Sequence, residues 1–116
     1  MKYYSNGYIN NTIFFIIMVI HTCPNLDKIT QDTYIIFKHS ATCSVSIQAK
    51  TQVEQWATTN NTPVFMVVVQ TQRDLSNEIE KKFNIQHESP QLLVIQNNKV
   101  ILTLNHFEIT EKNMDF

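Results

Sequence analysis

Cys43, in the run Thr33-Tyr-Ile-Ile-Phe-Lys-His-Ser-Ala-Thr-Cys43-Ser-Val-Ser46, is the residue whose type and place most clearly carry chemistry. An apolar, β-like run delivers it to the start of a helical pattern. A helix N-terminus offers unpaired N–H donors and a partial positive charge, and both favour thiolate over thiol. The spacing narrows the chemistry. A Cys-x-x-Cys pair would need its second cysteine at position 46, where Ser46 stands. A lone thiolate can attack a disulfide but cannot close an internal one, so the expected intermediate is a mixed disulfide resolved by a second molecule. Free cysteines also serve as small buried hydrophobes. The polar neighbours Lys38, His39, Ser40 and Thr42 weigh against that role and put Cys43 at a strand's exposed end.

The same neighbours are candidates to stabilise the thiolate: Lys38, His39, Thr42 and Ser46. Lys38 and His39 lower the Cys43 pKa if their charges approach the sulfur. A solvated strand-end lysine is the plainer alternative for Lys38. Ser46, one turn into the helix, can hydrogen-bond the sulfur, and an ordinary helix-start serine fits equally well.

The elements that must position Cys43 are legible as patterns. A first strand, roughly Ile16 to Ile20, precedes one or two helical turns within Asn25 to Gln31. Tyr34 to Lys38 is continuously apolar up to its end and reads as a second strand buried on both faces and paired in parallel. From Ser44, the residues Ala49, Val53, Trp56 and Ala57 keep the 3.6 period until Asn60-Asn61, so Cys43 opens a long helix. Pro63 introduces the β-branched run Val64 to Val69, suited to the centre of a sheet. Asp74 is a candidate N-cap for a helix bearing Leu75, Ile79 and Phe83, with Asn84 as a left-handed C-cap. Leu92–Gln96, Asn97-Asn98 and Lys99–Leu104 read as a hairpin, and Thr110 as the cap of a short final helix from Glu111 to Met114.

Composition bounds the rest. The 116 residues, 43% hydrophobic, suit one domain with one core, from residue 16 to residue 116. Nine basic and ten acidic residues, scattered, give a net charge of -1 and no field for nucleic acid. Cys23 and Cys43 make no disulfide framework, and no Cys/His spacing suits a closed zinc site, so no metal is expected. Reduced thiols in the cytoplasm are the default. Residues 1–15 read as a disordered leader or a signal segment. The apolar run Ile13–Ile20 is shorter than the about twenty residues that span a bilayer. It lacks a small-residue cleavage site, although secretion stays open as an alternative.

The order β-α-β-α-β-α-β-β-α, with a cysteine between the second strand and second helix and a proline opening the hairpin, resembles the thioredoxin fold. That fold is an α/β architecture with a mixed central sheet, parallel strands first and antiparallel hairpin last, flanked by helices. Phe37-Lys-His-Ser-Ala-Thr-Cys43-Ser-Val-Ser46, Leu75-Ser-Asn-Glu-Ile79, His87-Glu-Ser-Pro-Gln91 and His106-Phe-Glu-Ile-Thr110 are similar to the monothiol bacilliredoxins of the YtxJ type. The similarity runs from about Ile20 to Met114. It implies a monothiol thiol-disulfide oxidoreductase that removes bacillithiol, or a similar low-molecular-weight thiol, from S-thiolated client proteins. The nucleophile falls on Cys43 and a cis-proline on Pro90. Three positions depart from the pattern: Ser44 stands where the family has proline after its cysteine, Phe107 where tryptophan is expected, and Phe37 where thioredoxins carry a buried carboxylate.

In that fold a cis Ser89–Pro90 bond turns the backbone of Ser89 toward Cys43, where its N–H and C=O can hold an incoming chain as an extra strand. His106 ends the final strand at the same end of the sheet. It either lines the substrate groove with Ser89 and Pro90 or is a hydrogen-bonded structural histidine. A second reading keeps the fold as a non-catalytic binding module for a peptide or partner, with Cys43 incidental, and on either reading a monomer is expected. Fast alkylation of Cys43 near neutral pH separates the two. Cys23 follows the first strand, two strand spacings of ~4.8 Å from the second, which leaves the cysteines about 10 Å apart, beyond the ~7 Å that a disulfide spans. No Cys23–Cys43 bond is expected.

Overall fold

The strand that delivers Cys43 runs through the middle of a five-stranded sheet in the computed structural model, which describes residues 19–116. Along the chain, β1 is Ile20–Thr22, a single 3-10 turn covers Leu26–Lys28, and β2 is Thr33–His39. The helix α1 spans Ser44–Thr58, β3 Val64–Val68 and α2 Arg73–Phe83. The hairpin strands β4 (Gln91–Gln96) and β5 (Lys99–Asn105) lead into 3-10 turns at His106–Glu108 and Lys112–Met114. The expected leader and the start of the expected first strand at Ile16 lie outside the described residues.

The strand order is β1-β3-β2-β4-β5. Both β1 and β2 pair with β3 in parallel, while β4 pairs antiparallel with β2 and with β5. With partners on both sides, β2 is buried from Tyr34 to His39. Alternation along it sorts side chains between two layers. Ile35 and Phe37 face α1, packing with Ala49, Val53, Trp56 and Ala57. Tyr34 and Ile36 face the opposite layer with Ile79 of α2, Phe65, Leu93 and Ile95. The period-3.6 stripe read for α1 is therefore the stripe that is buried.

Several boundaries differ from expectation, each for a local reason. The first strand pairs Ile20, His21 and Thr22 with Val64, Phe65 and Met66, and its last two residues are exposed because β1 is an edge. The second strand continues through His39, so Lys38 is inside it rather than at its end. Gln72, not Asp74, is the N-cap of α2, and Asp74 lies in the first turn, where a carboxylate still faces the positive end of the helix. The final helix is one 3-10 turn, although Thr110 Oγ1 does accept the Asn113 N–H at 3.2 Å.

Asn84 closes α2 with φ 55°, and Asn97 and Asn98 form the hairpin turn with φ 52° and 66°. Asparagine tolerates this left-handed region better than most residues.

Candidate active site

Cys43 is the N-cap of α1, extended at φ -102° and ψ 124°, so its carbonyl already accepts the Ile47 N–H at 3.1 Å while its side chain stands beside the open end of the helix. The residue is half-buried. Its pKa is held below the ordinary thiol value, first by the backbone N–H of Ser46, with partial desolvation opposing and the Val45 N–H and Ser46 hydroxyl adding to the lowering. Ser46 is fully buried, and its Oγ accepts the Ser40 N–H at 3.1 Å, which leaves the hydroxyl hydrogen for the sulfur. The approach to the helix is fixed from β3's end. Gln70 accepts the Ala41 N–H at 3.1 Å and donates to Ser40 Oγ at 2.7 Å and to Thr42 Oγ1 at 3.4 Å. Thr42 thus belongs to this clamp.

Lys38 and His39 stand elsewhere than the sequence suggests. The pleat of β2 turns Lys38 to the α2 side, where it is fully buried, with Nζ donating to Ser76 O at 3.1 Å and lying 3.1 Å from His87 Nδ1. Burial lowers its pKa and the Glu80 charge opposes this. His39 turns to the α1 side against Phe37, ring centroids 5.7 Å apart. Burial lowers its pKa most, Lys50 adds to this, and a Ser46 backbone hydrogen bond and Glu54 oppose. A lowered imidazole is neutral at pH 7. The local contributions that favour the Cys43 thiolate come from the helix start and not from Lys38 or His39.

Because β4 runs antiparallel to β2 with Gln91 opposite Lys38, the residues just before β4 lie at the end of the sheet where β2 delivers Cys43. These are Ser89 and Pro90, joined by a cis peptide bond. Ser89 Oγ is buried without a hydrogen-bond partner. The Pro90 carbonyl accepts the His106 N–H at 2.9 Å, and His106 Nε2 lies 2.8 Å from Glu88 Oε1. His106, held at φ 52°, therefore ties the loop after β5 to the loop before β4. Beside it, Val45, Gln48, Ala49 and Gln52 of α1 face Phe107 and Ile109 across a cleft of about 400 Å³. Phe107 is 74% exposed, so the departure from tryptophan keeps an aromatic surface there.

Cys23 has the opposite environment. It is buried, its Sγ donates to Pro24 O at 3.4 Å, and its pKa is pushed up to about 12 by burial first and by the Glu78 charge second. Both cysteines are free thiols. Sequence reasoning missed Gln70, Ser76, His87 and Glu88, whose roles depend on partners 11 to 49 positions away. No group of three metal-ligating side chains is gathered among the described residues.

Such a thiolate at a helix start can attack a disulfide sulfur, and the comparisons agree with that chemistry. The family profile for monothiol bacilliredoxin BrxC matches residues 19–114. A solved structure described as a candidate oxidoreductase with a thioredoxin fold is similar at 28% identity and a TM-score of 0.77, covering 83% of this chain and 90% of that one. A mutant thioredoxin from Halobacterium salinarum is similar at 14% identity and a TM-score of 0.63, covering 80% of each chain. Thioredoxin from Aeropyrum pernix is similar at 15% identity and 0.55, covering 71% and 68%. The two thioredoxins speak for the fold alone. With its single low-pKa thiol at the N-terminus of α1 and a family match over nearly all described residues, the chain belongs to the monothiol bacilliredoxin family and is a thiol oxidoreductase of thioredoxin-like fold.

Proposed function

We propose that this chain removes bacillithiol from S-thiolated client proteins, with Cys43 as the nucleophile. The Cys43 thiolate attacks the bacillithiol sulfur of the client's mixed disulfide. One S–S bond forms and one breaks, and the client sulfur leaves as a thiolate that takes a proton from water. The Cys43–bacillithiol disulfide is then attacked at its bacillithiol sulfur by a second bacillithiol thiolate. This releases oxidised bacillithiol and regenerates Cys43, with no net redox change at the protein.

The observation that carries this reading is the half-buried, lowered-pKa Cys43 with a hydroxyl at position 46 in place of a resolving thiol. Cys23 is unsuited to resolve the adduct, since a thiol buried at a pKa of about 12 supplies almost no thiolate. Client binding falls to the backbone of Ser89 before Pro90, to His106, and to the aromatic rim at Phe107. The chain acts as a monomer in the cytoplasm of a bacterial cell. No helix among the described residues is long and apolar enough to cross a membrane.

The test uses one client protein carrying bacillithiol, glutathione or coenzyme A on a single cysteine, followed by intact mass. Transfer of one bacillithiol to Cys43, with release of the client thiol and loss of transfer in Cys43→Ser, is the expected result. Faster transfer from the glutathione or coenzyme A conjugate would overturn the choice of bacillithiol. Dethiolation by Cys43→Ser would overturn the nucleophile. A client bound but never dethiolated would return the protein to the binding-module reading.

A further inference from the structure

Lys38 is a buried cation whose hydrogen bonds include no carboxylate among the described residues. Its Nζ has two partners, Ser76 O of α2 and His87 Nδ1 of the segment between α2 and β4, each at 3.1 Å. Ser76 Oγ also reaches His87 Nδ1 at 3.3 Å, and the His87 N–H donates to Glu80 Oε2 at 2.9 Å. An ammonium has no lone pair, so beside Lys38 the Nδ1 nitrogen accepts and carries no proton, and the Ser76 hydroxyl can donate to it as well. His87 is three residues before Pro90 and next to Glu88, which holds His106. Whatever fixes His87 therefore fixes the loop at the Cys43 end of the sheet.

We propose that Lys38 and His87 act as a positioning pair, sharing one proton so that the ammonium–imidazole contact anchors the His87–Pro90 loop for client binding. A second proton places two cations about 3 Å apart, one buried and one half-buried, which breaks the contact. The loop then loses its anchor and the site its client-binding edge, while the Cys43 helix start is untouched.

The charges facing the pair fit this arrangement. Burial lowers the pKa of both partners; for His87 the Lys38 charge lowers it further, Glu80 and Glu88 oppose, and Arg73 adds a small lowering. Glu80, from α2, is the counter-charge to the single shared positive charge. His87 is accordingly neutral at pH 7 and takes up its proton only below the ordinary histidine range. Interacting groups of this kind titrate as a pair.

The first measurement is nitrogen NMR of the histidine rings of the intact protein against pH. The expected spectrum has His87 protonated on Nε2 alone at neutral pH, with a midpoint below about 6.5. A proton on Nδ1 at neutral pH, or a midpoint at that ordinary value, overturns the pair. The second measurement follows exchange with a peptide whose cysteine is joined to 5-thio-2-nitrobenzoate, divided at each pH by the rate of alkylation with iodoacetamide. Alkylation reports the thiolate fraction of Cys43, so the ratio reports client positioning alone. In the wild type the ratio falls about tenfold as His87 takes up its proton. His87→Asn, whose Oδ1 takes the place of Nδ1 and cannot be protonated, holds the ratio level at its neutral-pH value, whereas Lys38→Met, which lacks the ammonium, gives a ratio that is low at every pH. A level ratio in the wild type, or the same fall in His87→Asn, overturns the positioning role. Neither probe contains bacillithiol, so these outcomes are separate from the cofactor proposed above.

Discussion

At the scale of single residues, position 46 decides both what Cys43 can do and how readily it does it. A second thiol there would close an internal disulfide; the hydroxyl instead supports the thiolate while accepting the Ser40 N–H. The rate of alkylation rises with pH as thiolate forms and levels off above the Cys43 pKa. The wild-type midpoint is therefore expected below that of an ordinary thiol. Ser46→Ala removes the hydroxyl but keeps the Ser46 N–H, which contributes most. Its midpoint moves up only partway, with alkylation about threefold slower near neutral pH. An unchanged midpoint in Ser46→Ala would show that the side chain contributes nothing and that the helix start alone sets the thiolate.

At the scale of elements, two helices pack on opposite faces of one sheet, so each can be weakened without touching the other. Ile79 is the fully buried residue of α2, set against Ile36, Phe65 and Leu93. Ile79→Ala is expected to lower stability by about 2–5 kcal/mol in urea unfolding. The alkylation rate of Cys43 in the folded variant should remain that of the wild type, since α1 packs on the other face. A slowed Cys43 would mean that the two layers are coupled through the sheet. The same independence explains what the sequence discloses. The cysteine at a helix start, the stripe on α1, Asn84 as the C-cap of α2 and the Asn97-Asn98 turn are local patterns, and each appears where it was read. The buried state of Lys38 was not legible, because a polar residue closing an apolar run looks like a strand end until its partners are known. Those partners, Ser76 and His87, are 38 and 49 positions away. The end of β1 was not legible for the same reason, since β3 offers partners to His21 and Thr22 beyond Ile20.

At the scale of the whole molecule, the thiol outside the site sets an alkaline limit on the fold. Cys23 has a folded pKa pushed up to about 12, against 9.0 for an ordinary thiol. A group raised in this way contributes stability that is fully present below its unfolded pKa. Between 9.0 and about 12 the unfolded chain releases the proton and the folded chain keeps it, so stability falls as pH rises through that window. Cys23→Ala should flatten that fall in urea unfolding measured from about pH 8 to about pH 11, and a slope equal to the wild type's would mean that Cys23 is not its source. A different global property follows from the left-handed residues. Among the described residues, Asn84, Asn97, Asn98 and His106 hold the positive φ angles, and the chain's one glycine, Gly7, lies outside them. The described residues 19–116, which turn without glycine, sample fewer backbone conformations once unfolded, so less disorder is surrendered when they fold. The strain held at these four positions in the native state is thus set against a denatured ensemble that is already restricted.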